Sequence, residues 1–343
     1  METPWNLAPC DLSHFIKELR PTKSATKEVN DAIESLVGYM KKKLTVTVGR
    51  VGVAGEWGKS LSTQDDIFID LLLYITDFRA IEDHSKRLPS IVNELRECLN
   101  DKYRLGMKNA QDCLTVYLPT CDDMITCTVF PTVDLLGNNP TQGTSSVYSM
   151  RHNIIIAILF SLANIGTFYR KFITVSDRSP YNATILEMQS NLIKKTPVYL
   201  HDLIRLVKVW QTTKLSLRSR EPKPELFDLV TLHRWCKAGC PSEFDIRKGF
   251  FDVMKTLGDW ASLQVIWGGT QYGRYDKNIM EEVAKHNLHI CLEDTPLVMD
   301  PIDPFLNYCS GVRRLIWEEI ERTARETTKE AVLKGGEVTP NWQ

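Results

Sequence analysis

The sequence has almost no charge of either sign to spare: 42 Lys plus Arg stand against 43 Asp plus Glu in 343 residues. That balance excludes a polyelectrolyte binder driven by bulk charge, so any hold on nucleic acid must come from a local basic patch. Long apolar runs are missing too. The longest, I-I-I-A-I-L-F-S-L-A at 154 to 163, falls short of the roughly 18 residues a spanning helix needs, and no membrane span is expected. The opening M-E-T-P-W-N-L-A-P-C-D carries neither a basic leader nor an apolar h-region, and the nine cysteines are scattered and odd in number. Both features predict a reduced, cytoplasmic protein in which the sequon at Asn182 is silent. A paired zinc framework is lacking as well: His233, Cys236 and Cys240 have no second half, and a site needs about four ligands, so they read as helical core residues. Repeats and low-complexity tracts are not evident.

What is present suffices for two packed lobes. Residues 26 to 44 carry Val29, Ile33, Leu36, Val37 and Met40 at helical spacing and end in Lys41, Lys42 and Lys43, where cations suit a helix C-terminus. Strand-like segments follow around 44 to 48, 67 to 75, 113 to 118 and 125 to 130, with a helical segment from about 84 to 100 between them. After residue 150 helical spacing dominates, at 200 to 210, 226 to 235, 250 to 260 and 315 to 334. The predicted class is α+β: a mixed α/β sheet lobe over 1–150, a mainly helical lobe over 151–334, and a loose tail over 335–343.

One stretch suggests chemistry. G-E-W-G-K-S-L-S-T-Q-D-D-I-F-I-D-L-L-L-Y-I, residues 55 to 75, joins a glycine-lysine turn to acids and an apolar strand. Small residues in a turn let backbone approach phosphates, and carboxylates on the adjoining strand can hold the metal ions that neutralise them. A two-metal site wants two carboxylates two apart on one strand, which then share a face. Here Phe68 stands two before Asp70, while Asp65 and Asp66 lie in the approach to the strand. Asp70 itself sits in an apolar run and must be partnered or suffer desolvation, through a metal, a nucleotide or a nearby cation.

Together with T-V-F-P-T-V-D-L-L-G at 128 to 137, L-I-R-L-V-K-V-W at 203 to 210, D-L-V-T-L-H-R-W at 228 to 235 and L-V-M-D-P-I-D-P-F-L-N at 297 to 307, this stretch resembles the 2′-5′-oligoadenylate synthetase family, over roughly residues 10 to 322. The resemblance implies a bilobal nucleotidyltransferase fold activated by double-stranded RNA. Active members join ATP into 2′-5′ oligomers using two magnesium ions held by three aspartates. Matched position by position, those aspartates fall on Phe68, Asp70 and Thr128, so Asp70 alone is kept. Asp134 matches a later aspartate that is not a ligand. The turn's phosphate-touching serine falls on Glu56, whose charge repels phosphate.

The resemblance also implies nucleotide contacts from Gly55, Lys59 and Lys208. The family's adenine-side Gln-Tyr pair is replaced by Pro224 and Glu225. RNA contacts are implied for Lys41, Lys42, Arg50, Lys59, Lys194 and Lys195, in a patch thinned by Ser190 and Tyr199 where basic residues are usual. The expectation is a pseudoenzyme that needs no cofactor and acts by binding double-stranded RNA, nucleotide or a protein partner. The alternative is an RNA-dependent nucleotidyltransferase using magnesium and ATP, with Asp65, Asp66, Asp122 or Asp123 as repositioned ligands. Asp300 and Asp303, bracketed by prolines, are expected to cap backbone in a rigid turn.

Overall fold

A computed structural model describes residues 4–78, 81–106, 112–120, 124–136, 165–216, 222–267, 270, 272–286, 295–335 and 339–343. Asp122, Asp123 and the apolar run at 154 to 163 lie outside them. Two compact units emerge: Thr22–Lys59 with Asp65–Asn191, and Met1–Pro21 with Ser60–Gln64 and Leu192–Gln343. This grouping differs from the expected cut at 150: Ala183 and Leu186 pack against the sheet, and the N-terminal segment groups with the helices.

The sheet unit begins with α2 (Lys23–Lys43), whose N-cap Thr22 accepts a hydrogen bond from the Ala25 amide at 3.1 Å. The main chain turns at Leu44, so the strand expected at 44 to 48 starts only at Val48. The elements that follow are β1 (Val48–Ala54), α3 (Gly55–Lys59), β2 (Phe68–Ile75), α4 (Ile81–Asn100), β3 (Arg104–Leu105), β4 (Leu114–Pro119), β5 (Met124–Thr132) and α5 (Asn182–Lys194). The last three residues of α5 group with the helical unit. The five strands form a mixed sheet in the order β1-β2-β5-β4-β3, antiparallel except where β2 runs parallel to β5.

Alternation along β2 sorts its side chains. Ile69, Leu71, Leu73 and Ile75 enter a core with Val29, Leu36 and Met40 of α2, Leu95 and Leu99 of α4, and Val116 and Val129. Leu72 and Tyr74 on the opposite face pack with Ala54, Phe130 and, from α5, Ala183 and Leu186. Burial on both faces explains why the second half of β2 reads as one unbroken apolar run.

The helical unit holds α1 (Leu12–Glu18), α6 (Val198–Lys214), α7 (Pro224–Lys237), α8 (Ile246–Leu257), β6 (Gln264–Val265), α9 (Lys277–His286), β7 (Leu297–Val298) and α10 (Arg314–Thr327). Apolar side chains on nearly every side of α6 place it at the centre; among them Leu203, Leu206, Val207 and Trp210 are buried. The Trp210 indole donates to Thr327 Oγ1 at 2.8 Å. Asp300 accepts from the Ile302 and Asp303 amides and Asp303 from the Phe305 amide, so the proline-bracketed acids do cap a turn. The tail differs from expectation. Trp342 is 1% exposed, edge-on to Phe244, with its indole N–H on Asp252 at 3.1 Å. A large ring with a satisfied donor anchors the chain end that its Gly-rich approach made look loose.

Candidate active site

Register brings the three matched positions together. Asp70 pairs with Ala54 of β1 and with Thr128 of β5, and Phe68 pairs with Thr126. Paired residues project to one side, so Phe68, Asp70 and Thr128 share a face, with Phe68 50% exposed. The α3 turn closes over Asp70. A Cβ placed on Gly55, whose φ is +69°, would lie 2.7 Å from Asp70 Oδ2. Glycine is required there both by its left-handed backbone and by the acid against it. On the reverse face Cys127 is buried, which pushes its thiol up to about 12, with the Asp70 charge adding to the effect.

The expected cations divide into two kinds. Lys41, Lys42, Lys194 and Lys195 are exposed. Lys59 instead pairs with Glu56 at 3.2 Å, so the acid in the serine position neutralises the lysine of its own turn. Arg50 also lies inward, its side chain 19% exposed. Its guanidinium donates to Glu187 at 2.5 and 3.0 Å and to Asp134 at 3.4 Å, and stacks over the Tyr74 ring at 3.4 Å from the centroid. The Tyr74 hydroxyl completes the cluster, donating to Glu187 at 2.6 Å. Burial opposes the charge on Arg50, but the hydrogen bonds to Glu187 and the neighbouring Tyr74 and Asp134 outweigh it, and its pKa is raised.

In the helical unit Lys208 lies 3.6 Å from Asp228, with side chains 16% and 5% exposed. One turn earlier Arg205 donates to Asp202 at 3.0 Å and to the Ser62 carbonyl at 3.1 Å, and Arg20 reaches Asp202 at 2.8 Å. Both cations of this stretch of α6 thus face buried carboxylates. Pro224 opens α7 and Glu225 follows in its first turn, so neither supplies an aromatic ring for a base. Ser190 is buried, and Tyr199 is 39% exposed. Among the described residues no three His, Cys, Asp or Glu side chains gather as a metal-ligand set, His233, Cys236 and Cys240 included.

The importance of Glu187, Tyr74, Asp202 and Arg205 was not read from the sequence. A signal did exist for the last two: an acid and a base three apart in an otherwise apolar helix face one another.

A mixed sheet that carries an acid beside a glycine turn on one strand and its matched position on the parallel neighbour defines a nucleotidyltransferase fold. Solved structures with this architecture bear that out. The Cid1 poly(U) polymerase bound to 3′-dATP aligns with a TM-score of 0.56 at 11% identity, covering 93% of this chain and 92% of that one. The CdnC chain of an E. coli complex with HORMA gives 0.52 at 14% identity, covering 94% and 89%. Residues 165–343 match the family described as 2′-5′-oligoadenylate synthetase 1, domain 2, C-terminus, and the chain belongs to the 2′-5′-oligoadenylate synthetase family. It is 23% identical to 2′-5′-oligoadenylate synthase 1A of Rattus norvegicus over 97% of this chain and 93% of that protein. Against 2′-5′-oligoadenylate synthase 3 of Mus musculus the identity is also 23%, over 94% of this chain and 28% of that longer protein.

Proposed function

We propose that this chain is a member of the family that no longer polymerises ATP and works by binding, as a cytoplasmic component of antiviral innate defence. The observation that carries the reading is the trio Phe68, Asp70 and Thr128 on one sheet face. Magnesium is hard and takes oxygen ligands, usually carboxylates and water, in near-octahedral geometry. A phenyl ring offers no such donor, and a threonine hydroxyl lacks the charge to hold a second ion. The donor set therefore does not fit a magnesium pair. The carboxylate facing Lys208 supports the same reading, since a triphosphate approaching that lysine meets Asp228 as well.

Polymerisation with repositioned acids fits less well. Asp65 and Asp66 precede Asp70 by five and four residues and lie in the turn before β2, not on the strand face that carries Asp70. For double-stranded RNA, exposed Lys41, Lys42, Lys194 and Lys195 are the remaining candidates. With Arg50 and Lys59 engaged internally the phosphate contacts are fewer, and the expected binding is weak and salt-sensitive. No described helix is long and apolar enough to cross a membrane.

The test is incubation of the full chain with labelled ATP and magnesium or manganese, with and without long double-stranded RNA, followed by separation of products. Absence of oligomers above a boiled control is the expected outcome. RNA-dependent oligomers that vanish in Asp70→Ala would overturn the proposal.

A further inference from the structure

The C-terminal end of α7 folds back on itself. The Gly239 amide, at φ +87°, donates to the Cys236 carbonyl at 3.0 Å, and the Cys240 amide, at φ +56°, donates to the Trp235 carbonyl at 3.1 Å. These two bonds make a Schellman motif, in which a left-handed glycine reverses the chain and lays the next residue back over the last helical turn. The residue laid back is Cys240, and it meets Cys236: the two thiols are hydrogen-bonded to each other. The segment beyond is tied to the same turn, since the Trp235 indole N–H donates to the Pro241 carbonyl at 2.9 Å. Both cysteines are reduced and half-buried, so solvent reaches them, whereas Cys127 and Cys309 are buried. Burial and the adjoining Cys240 sulfur push the Cys236 thiol up, with Lys237 opposing. Cys236 therefore keeps its proton and is the donor in this contact.

We propose that Cys236 and Cys240 form an oxidation-sensitive dithiol, which a hydroperoxide converts into an intramolecular disulfide across the end of α7. Cys240, as its thiolate, attacks the peroxide. An S–O bond forms and the O–O bond breaks; the departing hydroxide or alkoxide takes up the proton that Cys240 released, and a sulfenic acid is left on Cys240. Cys236 then attacks that sulfur: the S–S bond forms, the S–O bond breaks, and water leaves with the Cys236 proton. Two thiols and one hydroperoxide thus give one disulfide, one water or alcohol from the peroxide and one further water, with two electrons passing from sulfur to oxygen. Because the second sulfur is already in contact, capture of the sulfenic acid is intramolecular and outruns its further oxidation. Side chains in contact need little backbone movement to reach the roughly 2 Å of an S–S bond. Small thiols reverse the step by exchange, so the modification is compatible with a reducing compartment.

The experiment treats the full reduced chain with a few equivalents of hydrogen peroxide, blocks the remaining thiols with an alkylating reagent, and digests with trypsin in the absence of reductant. Lys237 lies between the two cysteines, so cleavage there leaves W-C-K and A-G-C-P-S-E-F-D-I-R as separate peptides that only a disulfide holds together. That cross-linked pair is the expected main product, at about tenfold or more the level of any other disulfide, and dithiothreitol removes it. In Cys236→Ser the reaction stops at the sulfenic acid on Cys240, which a 1,3-diketone probe traps. Cys240→Ser forms no cross-link, and trapping at Cys236 is about tenfold lower. Thermal denaturation verifies that the reduced variants are folded, and the peptide map of the unsubstituted chain stands without them. Absence of the cross-link, alkylation of both Cys236 and Cys240 after peroxide, or an equal yield of a disulfide elsewhere overturns the proposal. So does a main product that joins two copies of the chain on a non-reducing gel, or trapping at Cys236 in place of Cys240.

Discussion

The two ends of one sheet face stand in contrast. At the inner end, Tyr74 is covered by α5 and locked by Arg50, Glu187 and Asp134. At the outer end, Phe68 and Met124 are open. The strands and the face are the same, and both ends hold a ring and an acid. At the inner end the acid on α5 brings the guanidinium into a buried, structural role; at the outer end Phe68 meets solvent. Stability should therefore concentrate at the inner end.

The sharpest way to break this comparison is Arg50→Ala. It leaves Glu187 and Asp134, 13% and 7% exposed, without their guanidinium, and a loss of about 3–5 kcal/mol is expected in urea unfolding. A loss below about 1 kcal/mol would mean that the inner end is no more structural than the outer.

Acid extends the comparison to buried histidines in both units. Burial lowers the pKa of His84, against the hydrogen bond to the Pro131 carbonyl, and of His201. For His233 burial, helped by Lys237 and Arg234, brings it to about 4. Unfolded rings titrate near 6.5, so as pH falls the unfolded chain takes up protons first. The stability these rings contribute is whole above about pH 6.5 and is lost on the way down. For His233 the window runs to about pH 4 and is worth up to about 3 kcal/mol. His233→Gln should flatten that part of the pH–stability curve, and an unchanged curve would remove His233 from the account.

Tyr74→Phe deletes one donor to Glu187 while Arg50 stays, and about 1 kcal/mol of destabilisation is expected from the same unfolding measurement. Phe68→Ala should be the mildest change for stability, within about 0.5 kcal/mol, because the ring is half in solvent. A larger loss would show that Phe68 is packed rather than presented.

Much of the fold was legible because periodicity reports burial directly. Val29, Ile33, Leu36 and Met40 spell a helix stripe, and all four are buried. The alternation in β2 was masked where both faces are covered, yet the strand remained recognisable from its length and apolar character. The first strand was misplaced because Leu44 to Thr47 are β-prone residues that the chain spends on a helix end and a turn. The tail was misread because Gly335 and Pro340 advertise a loop, whereas the anchor is a single residue, Trp342, whose partner Asp252 lies 90 positions away.

The candidate site shows the same division. That Asp70 is an acid flanked by Phe68 and matched with Thr128 is a property of residue types in order, and sequence alone determined which side chains stand at those three positions. Fold class and family followed from the same local patterns. Tertiary structure decided where the charges went. Arg50 and Lys208 read as surface cations for phosphate until Glu187, 137 residues from Arg50, and Asp228, on another helix, were found facing them. A sequence records which side chains carry charge, but electrostatic energy depends on separation and burial, and both are set only when distant segments pack together.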